Sequence, residues 1–263
     1  VPVRRIVCMS SSYVAFLEAL GADSTICAIS GTGYIWSDKV RNRIAGGEIA
    51  EAGFDNSLNF EKLVALKPDV VFLYGLTGKN AVTDKLHELG LKTVYIGDYV
   101  ENNPLGRAEW ITVFGEFTGR RELARTLFDS ISNEYNRAKA LVSGVEKRPE
   151  VMLNAPWLVP GDRSYMVRLL EDAGGNYACR GVDSDQSRPI STETAFVAAS
   201  QSDFWLSPGT ATSLAELNAM NPRFGSIPPV RNGNVYNNNA RTTPEGGSDF
   251  WESGVLRPDR VLA

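Results

Sequence analysis

The 263-residue sequence predicts an α/β fold in which two doubly wound α/β lobes are joined by a single long helix. Three observations carry that expectation. Short apolar runs alternate with stretches of helical spacing through the first part of the chain, the pattern of parallel strands linked by crossover helices. From Arg121 to about Val145 there is no proline and no glycine before Gly144, and Leu123, Leu127, Ile131, Tyr135, Ala138 and Val142 trace one apolar stripe. From Glu150 the strand–helix alternation resumes. The expected organisation is an N-terminal lobe over 1–119, a connecting helix over 120–147 and a C-terminal lobe over 148–263.

Taken in order, Arg5 to Met9 is a strand that ends in Ser10-Ser11-Ser12. Tyr13 to Leu20 is a helix with Val14, Leu17 and Leu20 on one side, stopped at Gly21. Thr25 to Ile29 is the second strand, followed by a loop rich in glycine and aromatics from Ser30 to Trp36. Asn59 caps a helix carrying Leu63, Val64 and Leu66, which ends before Pro68. Asp69 to Tyr74 is a continuous apolar strand, as expected where both sheet faces are covered. Val82 to Leu89 is a helix stopped by Gly90, and Lys92 to Ile96 the next strand. The central helix, at about 24 residues, would run about 36 Å. Packed on both lobes, such a helix bends little, so the cleft between the lobes is expected to be nearly preformed. In the second half, Glu150 to Asn154, Asp203 to Leu206 and Asn234 to Asn237 are strands. Tyr165 to Asp172, Thr192 to Ala199 and Leu214 to Met220 are helices.

Composition narrows the function. Hydrophobic residues make up 43% and charged residues 22%, the balance of an ordinary folded protein. Net charge is −4 with no basic stripe, which argues against nucleic acid as a partner. Cys8, Cys27 and Cys179 form no C-x-x-C pair; Cys8 and Cys27 read as buried strand residues. Val1 to Arg5 lacks the apolar core of a signal peptide, so an exported protein would stand here in its mature form. Dinucleotide and P-loop signatures and the G-x-S-x-G elbow are absent. The single histidine, His87, sits on the polar side of a short helix and reads as a surface residue, so triad catalysis and multi-histidine metal sites are not expected. The lack of a general base favours binding over catalysis.

Ordered segments then bring a family into view. They include Leu17-Glu18-Ala19-Leu20-Gly21-Ala22, Leu58-Asn59-Phe60-Glu61-Lys62-Leu63 and Leu66-Lys67-Pro68-Asp69-Val70-Val71 in the first half. In the second they are Ala173-Gly174-Gly175-Asn176, Ile190-Ser191-Thr192-Glu193 and Val230-Arg231-Asn232-Gly233-Asn234-Val235-Tyr236. With the long helix between the halves, the chain resembles the helix-linked (class III) periplasmic solute-binding proteins of ABC importers for iron–siderophore complexes, haem and vitamin B12. It departs from them where Ser10-Ser11 replaces the usual Ser-Pro, and the family's closing helix would begin only at Pro258 to Leu262. The resemblance implies a receptor, not an enzyme: a monomer in the periplasm or cell envelope, with or without a lipid anchor. It would hold a bulky metal chelate between its lobes and dock on an ABC permease driven by its ATPase. There is no resident cofactor on this reading, since iron or cobalt arrives inside the ligand. Docking in the family uses one glutamate per lobe, here Glu61 and Glu193 by motif match. Each also falls two positions after a cap, Asn59 and Ser191, where a carboxylate favours the helix dipole regardless of docking.

In doubly wound lobes ligands meet the carboxyl ends of the strands. That rule selects Tyr13, Tyr34, Trp36, Tyr74, Trp157, Arg163, Arg188 and Arg241 as ligand-binding candidates. Aromatic rings supply area and guanidinium forks pair with carboxylates or phosphates, a set suited to a large, flat or partly anionic ligand. A siderophore-type iron complex ranks first, a corrinoid second and haem third, because haem would need Tyr34, Tyr74 or Met9 as axial ligand. Trp110 and Trp205 are expected in the core, and the segment Gly246 to Gly254 is assigned either to the cleft rim or to C-terminal packing. Two rival readings stay open. A chelatase-like or transferase enzyme on the same scaffold would require converging ionisable groups, and a surface-anchored scavenger would bind ligand without any permease.

Overall fold

The computed structural model describes residues 2–54, 57–75, 81–155, 158–181 and 183–263. The chain forms two compact units. One comprises Val1–Glu101, Leu105–Asn133 and Arg241–Val261; the other comprises Asn102–Pro104, Glu134–Ala240 and Leu262–Ala263.

The first unit is built on five strands, β1 (Ile6–Cys8), β2 (Ile26–Ile29), β3 (Ala50–Glu51), β4 (Val70–Tyr74) and β5 (Thr93–Ile96). They lie in the order β3-β2-β1-β4-β5 and every pairing is parallel. Residues of β1 and β4 are apolar at every position because both sheet faces are covered. Ile6, Cys8 and Phe72 point to one face, where α1 (Ser11–Ala19) and Phe114 complete the larger core. Val7, Val71 and Leu73 point to the other, against Leu63 and Leu86. The helices here are α2 (Asp38–Ala45), α3 (Phe60–Leu66), α4 (Ala81–Glu88), α5 (Pro104–Glu109) and α6 (Ile111–Thr118). As expected, Asn59 caps α3 by accepting the Lys62 N–H at 3.0 Å, and His87 is an exposed residue of α4, hydrogen-bonded to the Thr93 hydroxyl.

The long helix α7 runs unbroken from Arg121 to Leu141, 21 residues and about 31 Å. It stops short of Val145. Past Leu141 the chain turns through i→i−3 bonds (Val142 N–H to Lys139 O, Ser143 N–H to Ala140 O), and the Ser143 hydroxyl also takes the Ala140 carbonyl. Within the first unit, Ala124 and Ile131 are buried and Gly115 of α6 faces Ala124 closely. Within the second, the Tyr135 hydroxyl donates to Asp172 at 2.7 Å and Lys139 pairs with the same carboxylate at 2.8 Å.

The second unit carries β6 (Glu150–Leu153), β7 (Leu158–Val159), β8 (Asn176–Tyr177), β9 (Arg188–Pro189), β10 (Phe204–Leu206) and β11 (Val235–Tyr236). Four of them form a parallel sheet in the order β11-β10-β6-β8, while β7 and β9 pair antiparallel. Its helices are α8 (Tyr165–Asp172), α9 (Thr192–Ser200), α10 (Leu214–Met220) and α11 (Pro228–Arg231). Ser164, Ser191 and Ser213 cap the first three through their hydroxyls. Trp205 is fully buried against Phe224, edge to face at 5.2 Å, which bears out its assignment to the core.

One boundary differs from the sequence reading, which gave everything after 148 to a C-terminal lobe. Residues Arg241–Val261 belong to the first unit. There α12 (Ser253–Leu256) lays Val255 and Leu256 into the same core as α1. Short elements without periodicity hide such a return from the sequence. The last helix, α13 (Pro258–Leu262), starts where expected.

Gly115 marks where α6 and α7 approach most tightly, since a Cβ there would lie 2.5 Å from the Ala124 Cβ and 3.2 Å from the Arg120 carbonyl. Gly115→Ala is expected to destabilise the protein by about 1–3 kcal/mol through overpacking. Denaturant unfolding checks this; an unchanged midpoint would show that the two helices part freely.

Candidate ligand-binding site

In the first unit the site is shaped by one loop, and the loop is shaped by two carboxylates. β2 delivers the chain to Ser30 at the carboxyl edge, and Gly31 turns it at φ 72°, a conformation glycine adopts without strain. Glu51 at the end of β3 then gathers the turn. It accepts the N–H groups of Gly31 at 2.9 Å and Thr32 at 2.7 Å, the Thr32 hydroxyl at 2.8 Å and the Gly53 N–H at 2.8 Å. Burial pushes the Glu51 carboxyl up, but these donors together hold it below the ordinary value.

At the loop's other end the acceptor is Glu252, over 200 residues downstream, which takes the Trp36 N–H at 2.7 Å and the Ser37 N–H at 3.0 Å. Ser37 in turn caps α2. Glu252 is 2% exposed. Burial pushes its carboxyl up to about 7; the two N–H donors act downward, and Glu18 and Asp249 act upward. The rest of segment 241–254 follows the same loop. The Thr243 hydroxyl donates to Gly33 O at 3.0 Å, and a side chain at Gly247 would run into the Tyr34 carbonyl. Segment 246–254 therefore packs on the first unit's aromatic loop.

Held this way, the loop presents Tyr34, 47% exposed and edge-on to the Phe54 ring at 6.2 Å. It also presents Trp36, half-buried, with the Arg41 and Arg241 guanidinium carbons 5.8 and 5.5 Å from its ring centre. Arg41 pairs with Asp38, and Arg241 with Asp249 at 3.1 Å. The strand order reverses between β1 and β4, where doubly wound sheets open a crevice. Tyr74 stands there, 41% exposed, its ring edge-on to Tyr99 at 6.2 Å. Beside it Ser10 bonds Ser12 at 2.9 Å, and Ser12 donates to the buried Asp98 at 2.7 Å. Burial raises the Asp98 carboxyl.

Tyr13 is a correction. It lies on the first turn of α1 with no exposed surface, among Phe72 and Phe114, its hydroxyl directed at the Leu73 and Ile96 carbonyls. The helix begins at Ser11 and is buried on almost all sides, so the residue leaves the strand-end loop and joins the core. Met9 is buried as well, at 3% exposure. Phe54 and Tyr99 are the rings that sequence reasoning missed. Tyr99 follows β5 and the strand-end rule would have found it; Phe54 follows a two-residue strand that leaves no periodic signal.

In the second unit the order reverses between β6 and β10, and both strands end in non-glycine residues at positive φ, Asn154 at 62° and Ser207 at 54°. The Asn154 carbonyl accepts the Trp205 indole N–H at 3.0 Å. Trp157 lies outside the described residues. Arg163 is exposed and pairs with Asp183 at 2.7 Å. Arg188 folds inward, donating to Cys179 O at 3.2 Å, and lines a groove of about 410 Å³ with Ile190, Glu193 and Val197. A ligand candidate and a docking candidate thus share one groove. Glu61 and Glu193 are both exposed in the first turns of α3 and α9, behind their caps. Among the described residues no group of three or more His, Cys, Asp or Glu could hold a metal ion, and no helix is long and apolar enough to cross a membrane.

Two units, each on a parallel sheet whose strand order reverses, place the fold in the doubly wound α/β class. Over residues 6–242 the sequence matches the family described as periplasmic binding protein, and the chain belongs to that family. Its fold is similar to that of the periplasmic haem-binding protein HutB of Vibrio cholerae, with TM-score 0.75, 18% identity and coverage of 98% of this chain and 97% of that one. It is similar also to the periplasmic vitamin B12-binding protein BtuF of Vibrio cholerae, with TM-score 0.67, 14% identity and 99% of each chain. An uncharacterized lipoprotein of Methanocaldococcus jannaschii is 28% identical over the whole of this chain, which spans 64% of that protein's length.

The Glu252 carboxyl sets a pH dependence. Below its ordinary pKa of 4.5 the folded and unfolded chains both hold its proton. Between 4.5 and about 7 the folded chain keeps a proton that the unfolded chain releases, so stability falls as pH rises through that window, by roughly 3 kcal/mol in all, and stays low above it. Glu252→Gln is expected to flatten this slope. Unfolding free energies of both proteins from pH 4.5 to 8 test it, and parallel curves would refute it.

Proposed function

We propose that the chain is the substrate-binding component of an ABC importer, capturing a siderophore-type iron complex and delivering it to a membrane permease. The observation that carries this reading is the Trp36 ring with Arg41 and Arg241 over it, in a unit that also exposes the Tyr34–Phe54 and Tyr74–Tyr99 pairs. Rings give contact area to a bulky chelate, and guanidinium groups meet its acidic edge, while the chelator itself supplies the metal's ligands. The protein then needs no metal donor and no resident cofactor of its own. Membership of a family of binding proteins supports a receptor over a chelatase-like enzyme. The family's description supports a place in the periplasm or cell envelope, and the lipoprotein relative is what favours a lipid anchor there. Corrinoid or haem capture is the alternative within the family, as two proteins of similar fold are described as binding vitamin B12 and haem. With Met9 buried and His87 bonded to Thr93, the exposed phenols Tyr34, Tyr74 and Tyr99 are the groups of the first unit's site that could meet a haem iron.

Incubation of the apo protein with a ferric hydroxamate, haemin and cyanocobalamin in turn tests the ligand class. The ferric hydroxamate is expected to co-elute on gel filtration, and Trp36→Ala to weaken its binding about tenfold. A Soret band that shifts on Tyr74→Phe would replace this reading with haem capture.

Docking of the permease rests on Glu61 and Glu193. Charge reversal at both is expected to abolish uptake by cells carrying the cognate permease while leaving chelate affinity within about twofold. Unchanged uptake would reduce both residues to helix-dipole partners.

A further inference from the structure

The cations over Trp36 each bring a carboxylate with them. Arg241 pairs with Asp249, whose side chain is only 14% exposed and whose Oδ1 accepts the Ser253 hydroxyl at 2.6 Å. Arg41 pairs with Asp38. The other cations of α2 are committed as well, Lys39 to Asp23 at 2.7 Å and Arg43 to Glu48 at 2.9 Å. The aromatic loop then carries one further acid. A Cβ at Gly33 would lie 3.2 Å from the Glu245 Cγ, so this side chain rests on the loop next to Tyr34. Glu245 is exposed and has no ion-pair partner among the described residues. Around Trp36 and Tyr34, Arg41 and Arg241 are thus set against Asp38, Asp249 and Glu245. The second unit repeats the pairing at Arg163, which Asp183 meets at 2.7 Å.

A guanidinium that already holds a carboxylate keeps N–H donors on its free edge, but the pair brings no net charge to a ligand. A neutral chelate can take those donors on the oxygens around its metal, which are its acidic edge, and lay its apolar part on the rings. A polyanionic chelate must displace Asp38 and Asp249 or lie against them and Glu245, and the loop has no uncommitted cation to offset its charge. Resting on the chelate reading of this site, we propose that it selects metal chelates without net negative charge, taking neutral tris-hydroxamates over trianionic tris-catecholates. Asp38, Asp249 and Glu245 set that preference. Their part is exclusion: each leaves the rings open to any bulky chelate and raises the cost of a negative one.

The test is titration of the full chain with ferrichrome, a neutral ferric tris-hydroxamate, and with ferric enterobactin, a trianionic tris-catecholate, followed by quenching of tryptophan fluorescence. The neutral chelate is expected to bind at least about tenfold more tightly. Raising the salt from about 0.05 to about 0.5 M should narrow that ratio, because screening relieves the repulsion of the trianion. Asp38→Asn combined with Glu245→Gln, both at exposed positions, should narrow it by about fivefold or more with an unchanged melting temperature. Asp249→Asn, which frees Arg241 from its partner, should narrow it in the same direction. A trianion bound as tightly as the neutral chelate, or a ratio that the double variant leaves unchanged, would overturn the proposal while chelate capture stands. Binding of neither chelate would remove the capture reading and this one with it.

Discussion

Two carboxylates tied to backbone N–H groups are what the first unit's aromatic loop depends on. Glu51 gathers the start of the Gly31–Ser37 loop and Glu252 its end. Between them the peptide planes are fixed, and with the planes the directions of Tyr34 and Trp36. A loop without such ties would spend binding free energy on ordering two large side chains. The two acids meet that need under opposite electrostatic conditions. Glu51 has four donors that hold its carboxyl below the ordinary value, whereas at Glu252 near-complete burial outweighs its two N–H donors and raises the carboxyl to about 7.

The two units present different chemistries at their strand ends. In the first, exposed rings dominate: Tyr34, Phe54, Tyr74 and Tyr99. In the second, β6 and β10 run into polar residues at positive φ while β11 ends on the exposed Tyr236, with Arg163 held by Asp183 and Arg188 by the Cys179 carbonyl. Packing explains part of the contrast. Trp205 and Phe224 pack in the second unit's core, and the indole N–H anchors the Asn154 carbonyl, so this ring serves structure.

Much of the fold was legible because the chain keeps strict periods where burial is two-sided. Val70 to Leu73 could only be an inner strand, and the stripe through Ile131 and Tyr135 could only be helix. The caps Asn59 and Ser191 were readable from residue type alone. The candidate site was legible to about the depth of the strand-end rule. It picked Tyr34, Trp36, Tyr74 and Arg241, which the structure leaves exposed or half-buried in the first unit, and it misplaced Tyr13, because where the strand stops and the helix starts is decided by a residue or two that carry no periodic signal. Glu51 and Glu252 could not be found that way. Their partners are backbone N–H groups at 19–20 and 215–216 residues' separation, and nothing in the spacing of acidic residues announces such bonds.

Segment 241–254 also has a temporal meaning. The first unit's sheet is laid down from Ile6 to Ile96, yet the unit lacks the acid that fixes Trp36, and the apolar helix that covers α1, until the polypeptide has been made past Leu256. A nascent chain that had already emitted its five-stranded sheet would carry an unfinished, partly uncovered surface throughout synthesis of the second unit.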